Sequence, residues 1–251
     1  MHVSLCVKKC TFAFDYVKQM KIIGYIHVCQ ASEWWTDAFD TLWEDIVRSG
    51  LYEASEEIRV CVVNSELVQD ERFNDPKIKL FFLGSEAQYE RPTLLHMREQ
   101  AEKEVAAYYY LHTKGLRHYG QPTFEYVQAW IQVLLHANVT RWRDAYDIIS
   151  NDRADTYGCL YNKLFYVGNF WWSSSKHVKT LPKTIGKDYC APEWWVTRKQ
   201  FIRIANEFKY YGEPYSNLPP LGQDPEIKVE RKFYIRTAIL AIGLVISLLW
   251  R

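Results

Sequence analysis

Residues 108–115 read YYYLHTKG, a run of large rings that ends in His112, Thr113, Lys114 and Gly115. A lysine and a hydroxyl beside a glycine suit a diphosphate: the ammonium balances charge, and the glycine lets the backbone come close. The same spacing describes a solvated loop lysine with a capping threonine, so by itself it leaves both readings open. A second block, residues 168–172 (GNFWW), sets the amide of Asn169 beside Phe170, Trp171 and Trp172. An amide beside flat rings can bond sugar hydroxyls and stack on their C–H faces. Core packing accounts for the rings equally well, but less easily for Asn169, because a buried amide needs several partners. Residues 90–93 (ERPT) read as a helix start with proline in the first turn, with Arg91 facing either a phosphate or a structural ion pair and Thr93 beside it. His27 is a minor candidate, since a lone strand histidine is more often a satisfied core residue.

The elements that would carry these residues alternate. Residues 21–29 and 58–63 have the continuous apolar character of strands covered on both faces, as do 77–83 and 105–111. Helices are expected at 33–48, closed by Ser49 and Gly50, and at 93–103. Strands alternating with helices predict an α/β domain with a mostly parallel, Rossmann-like sheet, whose ligands sit beyond the carboxyl ends of the strands. His112, Thr113, Lys114 and Gly115 fall at such an end. Further on the pattern gives helices at 124–135 and 140–150, a short strand at 156–161 and a late helix at 195–210. Trp34, Trp35, Trp130 and Trp142 fall at helical positions and are expected to be packing residues.

Five blocks, residues 49–52, 89–94, 110–115, 168–172 and 191–194, together resemble a family of glycosyltransferases from bacterial surface-polysaccharide loci and large DNA viruses. The resemblance spans roughly residues 21–210, and HTKG and GNFWW are its most specific parts. It implies a GT-A-like fold, a nucleotide-sugar donor and a glycan acceptor. It also implies a nucleotide-sugar site built from His112, Thr113, Lys114, Gly115, Arg91, Thr93, Asn169, Trp171 and Trp172. An inverting transfer needs a carboxylate to take the acceptor's proton as the anomeric bond breaks. Glu193, in the matching block APEW, is the first candidate and Asp155 the second. The chain lacks the Asp-x-Asp pair that usually carries Mn²⁺ or Mg²⁺ in such enzymes; the nearest substitute is Asp152 to Asp155. Either Asp155 helps to hold a metal, or Lys114 and Arg91 neutralise the leaving group without one. A silent carbohydrate-binding or scaffold protein of the same fold is the alternative.

Composition narrows the classes. With 31 basic and 30 acidic residues, no global field draws the chain to nucleic acid. The six cysteines are scattered without zinc-site spacing. No GxSxG elbow, P-loop or GxGxxG is present, which argues against an α/β hydrolase or a P-loop enzyme. Rings make up 16% of the residues, a composition that suits both carbohydrate sites and aromatic cores. Residues 1–19 show no clean pattern and read as a dispensable leader, leaving 20–210 as the domain and the proline- and glycine-rich stretch 211–232 as a linker. Residues 233–250 are almost wholly apolar, ~27 Å long as a helix, close to the minimum for a membrane span. Lys228, Arg231, Lys232 and Arg236 lie on its N-terminal side, the last of them inside its first turn, with Arg251 alone beyond it, so the expectation is a C-terminal anchor with the domain on the cytosolic side.

Overall fold

A computed structural model of the chain describes residues 20–85, 88–208 and 226–233. The run KIIGYIHVC forms strand β1, Lys21–Cys29, with its seven inner residues buried. A strand hidden on both faces needs a layer on each side. Helix α1, Trp35–Arg48, supplies one, turning Trp35, Phe39, Leu42 and Ile46 inward at helical spacing. Gly50, at φ 78°, ends that helix and leads through the single turn α2, Leu51–Ala54, into β2, Ser55–Val63. β3 (Ile78–Gly84), α3 (Arg91–Ala101) and β4 (Ala106–His112) complete a parallel half-sheet in which β1 pairs with β2 and β4, and β2 with β3. Gly24 lies under the Tyr109 ring, where a Cβ would stand 2.3 Å from ring atoms, so the β1–β4 seam admits only glycine there.

α4, Phe124–Leu135, runs through a π-turn at His136–Thr140 into α5, Trp142–Ser150. Next come β5 (Thr156–Gly158), β6 (Trp171–Ser174), α6 (Ser175–Val178), α7 (Ala191–Trp195), β7 (Phe201–Asn206) and β8 (Lys228–Phe233). All eight strands form one sheet in the order β3-β2-β1-β4-β6-β5-β7-β8. α1, α4 and α5 cover one face, packing with Ile22, Ile26 and Val28, while α3, α6 and α7 cover the other with Ile23 and Tyr25.

Several expectations are corrected. The sheet is mixed rather than mostly parallel: β6 runs antiparallel to both β4 and β5, and β8 antiparallel to β7. The helix expected at 195–210 is instead the end of α7 followed by β7, where Ile202 and Ile204 alternate inward as a strand requires. The last residues assigned to the linker form β8, paired with β7 along six residues. Block 168–172 leads into β6, a buried strand that the sequence pattern did not reveal. The leader at 1–19 and residues 234–251 lie outside the described residues. Among the described residues no helix is long and apolar enough to cross a membrane.

Candidate functional site

Because β1, β2 and β4 are parallel, their carboxyl ends open at one edge of the sheet, and a cleft of about 340 Å³ lies there. His112, Thr113, Lys114, Gly115 and Glu193 all line it, from the end of β4 and from α7. Glu90, Arg117, Tyr89 and Tyr189 line it as well, and so does Trp130, which is therefore more than a packing residue.

Thr113 continues the strand ladder. Its amide donates to the His27 carbonyl at 3.0 Å and its hydroxyl accepts from the Cys29 amide at 3.1 Å. Gly115 then turns the chain at φ 78°, with a Cβ there falling 2.6 Å from Val127. The ammonium of Lys114 lies 4.1 Å from the Trp130 ring centre. Burial lowers the Lys114 pKa, opposed by the charges of Glu193 and Glu90. Glu193 moves the other way: burial raises its pKa, the Lys114 charge opposes, and Glu90 adds to the rise. An ammonium and a carboxyl that sense each other thus share one partly desolvated space.

His112 Nε2 sits 3.0 Å from the Gly168 carbonyl, which can only accept, so Nε2 carries the proton and Nδ1 the lone pair. Burial, then the nearby Lys114 charge, pushes its pKa down to about 3. His112 is neutral at physiological pH. Glu90 approaches the same ring at 3.9 Å and accepts from Asn169 Nδ2 at 3.5 Å. Sequence reasoning read Glu90 only as part of a helix start; its place before the first turn of α3, beside Tyr89, was the available signal.

The remaining expected residues build the walls. Arg91 donates to the carbonyls of Gly186 at 2.8 Å, Asp188 at 2.6 Å and Gln88 at 3.1 Å, so it fastens the segment before α7 to the start of α3 rather than facing a phosphate. Thr93 is fully buried, its hydroxyl 2.8 Å from His27 Nδ1, and burial pushes the His27 pKa down to about 4. Asn169 has no exposed surface and accepts from Trp171 Nε1 at 2.9 Å. Trp171 stacks on Tyr110, and Trp172 packs on Tyr109 while donating to the Asn138 carbonyl at 2.8 Å. The GNFWW block is therefore the core beneath the site and presents no ring to a sugar.

Asp155 lies elsewhere. It precedes β5, and the register through β6 sets it level with Ala107. That is about 17 Å of strand short of His112, towards the opposite edge. Its carboxylate accepts from the Arg203 amide at 2.7 Å and guanidinium at 2.9 Å. Burial would raise its pKa, yet the Arg203 hydrogen bonds and charge prevail and hold it low. Among the described residues no three His, Cys, Asp or Glu side chains gather as a metal-binding group, so Asp155 does not fit the bridging Mn²⁺ or Mg²⁺ that the resemblance implies. The cationic groups of the cleft wall are Lys114 and Arg117.

Compared with known proteins, the chain matches no protein-family model and no curated protein sequence.

Proposed function

We propose that this chain is a nucleotide-sugar-dependent glycosyltransferase with a GT-A-like fold, working in the cleft at the carboxyl ends of β1, β2 and β4. The observation that carries the reading is that Lys114 and Glu193 line one cleft at the carboxyl ends of the parallel strands. Lys114 and Arg117 hold the donor's diphosphate, and the close backbone at Gly115 brings it near. Glu193 accepts the proton of the acceptor hydroxyl as that oxygen bonds the anomeric carbon. The bond from that carbon to the phosphate oxygen breaks, its electron pair leaves on the diphosphate, and Lys114 compensates the charge. One base placed for direct attack favours inversion. Neutral His112, its proton committed to Gly168, offers Nδ1 as an acceptor for a donor hydroxyl.

The acceptor is a glycan, and the apolar residues 233–250 support a membrane-held enzyme with its domain on the cytosolic side. β8 delivers the chain to Phe233 beside Phe201, at the edge of the sheet away from the cleft.

A thermal-shift screen of the full chain against UDP-, GDP- and dTDP-sugars, with and without Mn²⁺, tests the reading, because a ligand of the native state raises its stability. A nucleotide-selective shift that disappears in Lys114→Ala is the expected result. A folded protein that responds to no nucleotide would leave the non-catalytic scaffold instead.

A further inference from the structure

Two tyrosines stand at the mouth of the cleft. Tyr89, just before α3, and Tyr189, just before α7, meet edge to face with ring centres 5.2 Å apart and planes at 88°. Both line the cleft, yet they remain 44% and 59% exposed. Large rings left open at the mouth of a site form an apolar surface that a ligand can cover.

They are also held in place. Tyr89 adopts φ 50°, a left-handed conformation that a bulky side chain rarely takes. The Arg91 guanidinium lies 5.7 Å from the Tyr89 ring centre, and the same group bonds the carbonyls of Gly186 and Asp188, securing the segment that carries Tyr189. A ring pair fixed before binding loses little entropy when a ligand stacks on it. Glu193, in α7, follows Tyr189 by four residues, and the Tyr189 phenol senses Arg117, Glu90 and Glu193 besides its own burial.

Resting on the transferase reading, we infer that the Tyr89 and Tyr189 pair is the acceptor platform, with the Tyr189 ring stacking on the C–H face of a pyranose and Tyr89 bracing it edge to face, so that the sugar's hydroxyl reaches Glu193. The acceptor's terminal unit is then a sugar and not a bare peptide or lipid hydroxyl. A pyranose suits such a surface because one face is apolar while its rim of hydroxyls stays wet and can bond the phenols.

Ligand-observed saturation-transfer NMR on the full chain tests this with the methyl pyranosides of glucose, galactose, mannose and xylose, and separately with UDP, GDP and dTDP. The expected result is transfer to the ring protons of at least one pyranoside, weakened about tenfold or more in Tyr189→Ala and within about threefold of wild type in Tyr189→Phe. Nucleoside diphosphate binding should change less than about twofold in both variants. Absence of pyranoside binding, or binding indifferent to Tyr189→Ala, overturns the platform. Loss of nucleoside diphosphate rather than pyranoside also overturns it, giving the rings to the nucleobase. Pyranoside binding that depends on Tyr189, in a protein that binds none of the three diphosphates, keeps the platform and removes the transferase reading.

Discussion

The ammonium of Lys114 rests 4.1 Å from the centre of the Trp130 ring, and Trp130 in turn packs against Gly168, where a Cβ would come within 3.1 Å of the indole. The carbonyl of that same Gly168 accepts the proton of His112. Cation, indole and imidazole are thus one assembly, braced by a glycine at φ 104° that leaves no room for a side chain. The ring face attracts the ammonium without neutralising it, so its charge stays available to an anion.

Lys114→Met should weaken nucleoside diphosphate binding about 30- to 100-fold, the loss expected for one charge-assisted phosphate contact. The fold should not suffer. Burial lowers the Lys114 pKa in the native state, so its charged form costs stability at neutral pH, and that cost fades as pH rises through the native and then the unfolded pKa. Lys114→Met is therefore expected to melt at or above the wild-type temperature at pH 7. Calorimetric titration beside a melting curve checks both halves, and the titration repeated in excess EDTA should give the same affinity. A large EDTA effect would show that a metal, rather than Lys114 and Arg117, holds the diphosphate.

Glu193→Gln should leave donor binding within about twofold and slow transfer by ~10²- to 10⁴-fold, the usual share of a general base. Burial raises the Glu193 pKa, so the base form appears only above the ordinary carboxylate range, and the rate should climb through that raised value as pH increases. Stability moves oppositely. A native pKa above the unfolded one means that the native state binds more protons between the two, so this group's contribution falls as pH rises through that window. Glu193→Gln should thus melt higher than wild type above the window while catalysing less. A variant that is slow but no more stable at neutral pH would place Glu193 outside a desolvated site.

The first half of this fold is legible in the sequence because each element there has one period and a clear end. β1 is read to the residue, and α4 likewise, since a continuous apolar run and an amphipathic stripe each admit one assignment. His112, Thr113, Lys114 and Gly115 were legible for the same reason: a buried strand running into a glycine marks where a parallel sheet presents its groups. The second half mixes short strands with single helical turns. The six residues of β7 alternate too briefly to be told from a helix, and β6 is hidden because Trp171 and Trp172 suit a sugar site and a packed core equally well. Tyr189 was illegible as a site residue because its place at the cleft depends on Arg91 tying together two segments far apart in sequence. Asp155 misled because acidic spacing says nothing of the arginine that fills it.

Asp155→Asn is the control for that last point. Its partner Arg203 is 31% exposed and Asp155 is 19% exposed, so water screens part of the interaction and the expected loss is about 1 kcal/mol. The Arg203 partnership holds the native pKa low, so its contribution is present above the unfolded carboxylate pKa and disappears as pH falls through the native one. Chemical denaturation at pH 7 should show the loss, and at strongly acid pH the variant and wild type should converge. Donor affinity should stay within about twofold because the two sites lie at opposite edges of the sheet. A variant that loses nucleotide binding instead would restore Asp155 to the site.

β8 is the last strand among the described residues. Its six residues pair with β7 and its side chains are mostly exposed, so it contributes chiefly backbone hydrogen bonds. Against the entropy of ordering the strand, the net gain should be about 2 kcal/mol. A chain cut after residue 225 should therefore melt roughly 5 °C below one cut after residue 233. It should also self-associate more readily, because β7 then becomes an open edge with Phe201 exposed upon it. The cleft lies across the sheet at β1, β2 and β4, so nucleoside diphosphate binding should survive in both chains. Paired melting curves and light scattering decide the matter: equal stability would mean that β8 adds nothing to the sheet, and that the fold closes at β7.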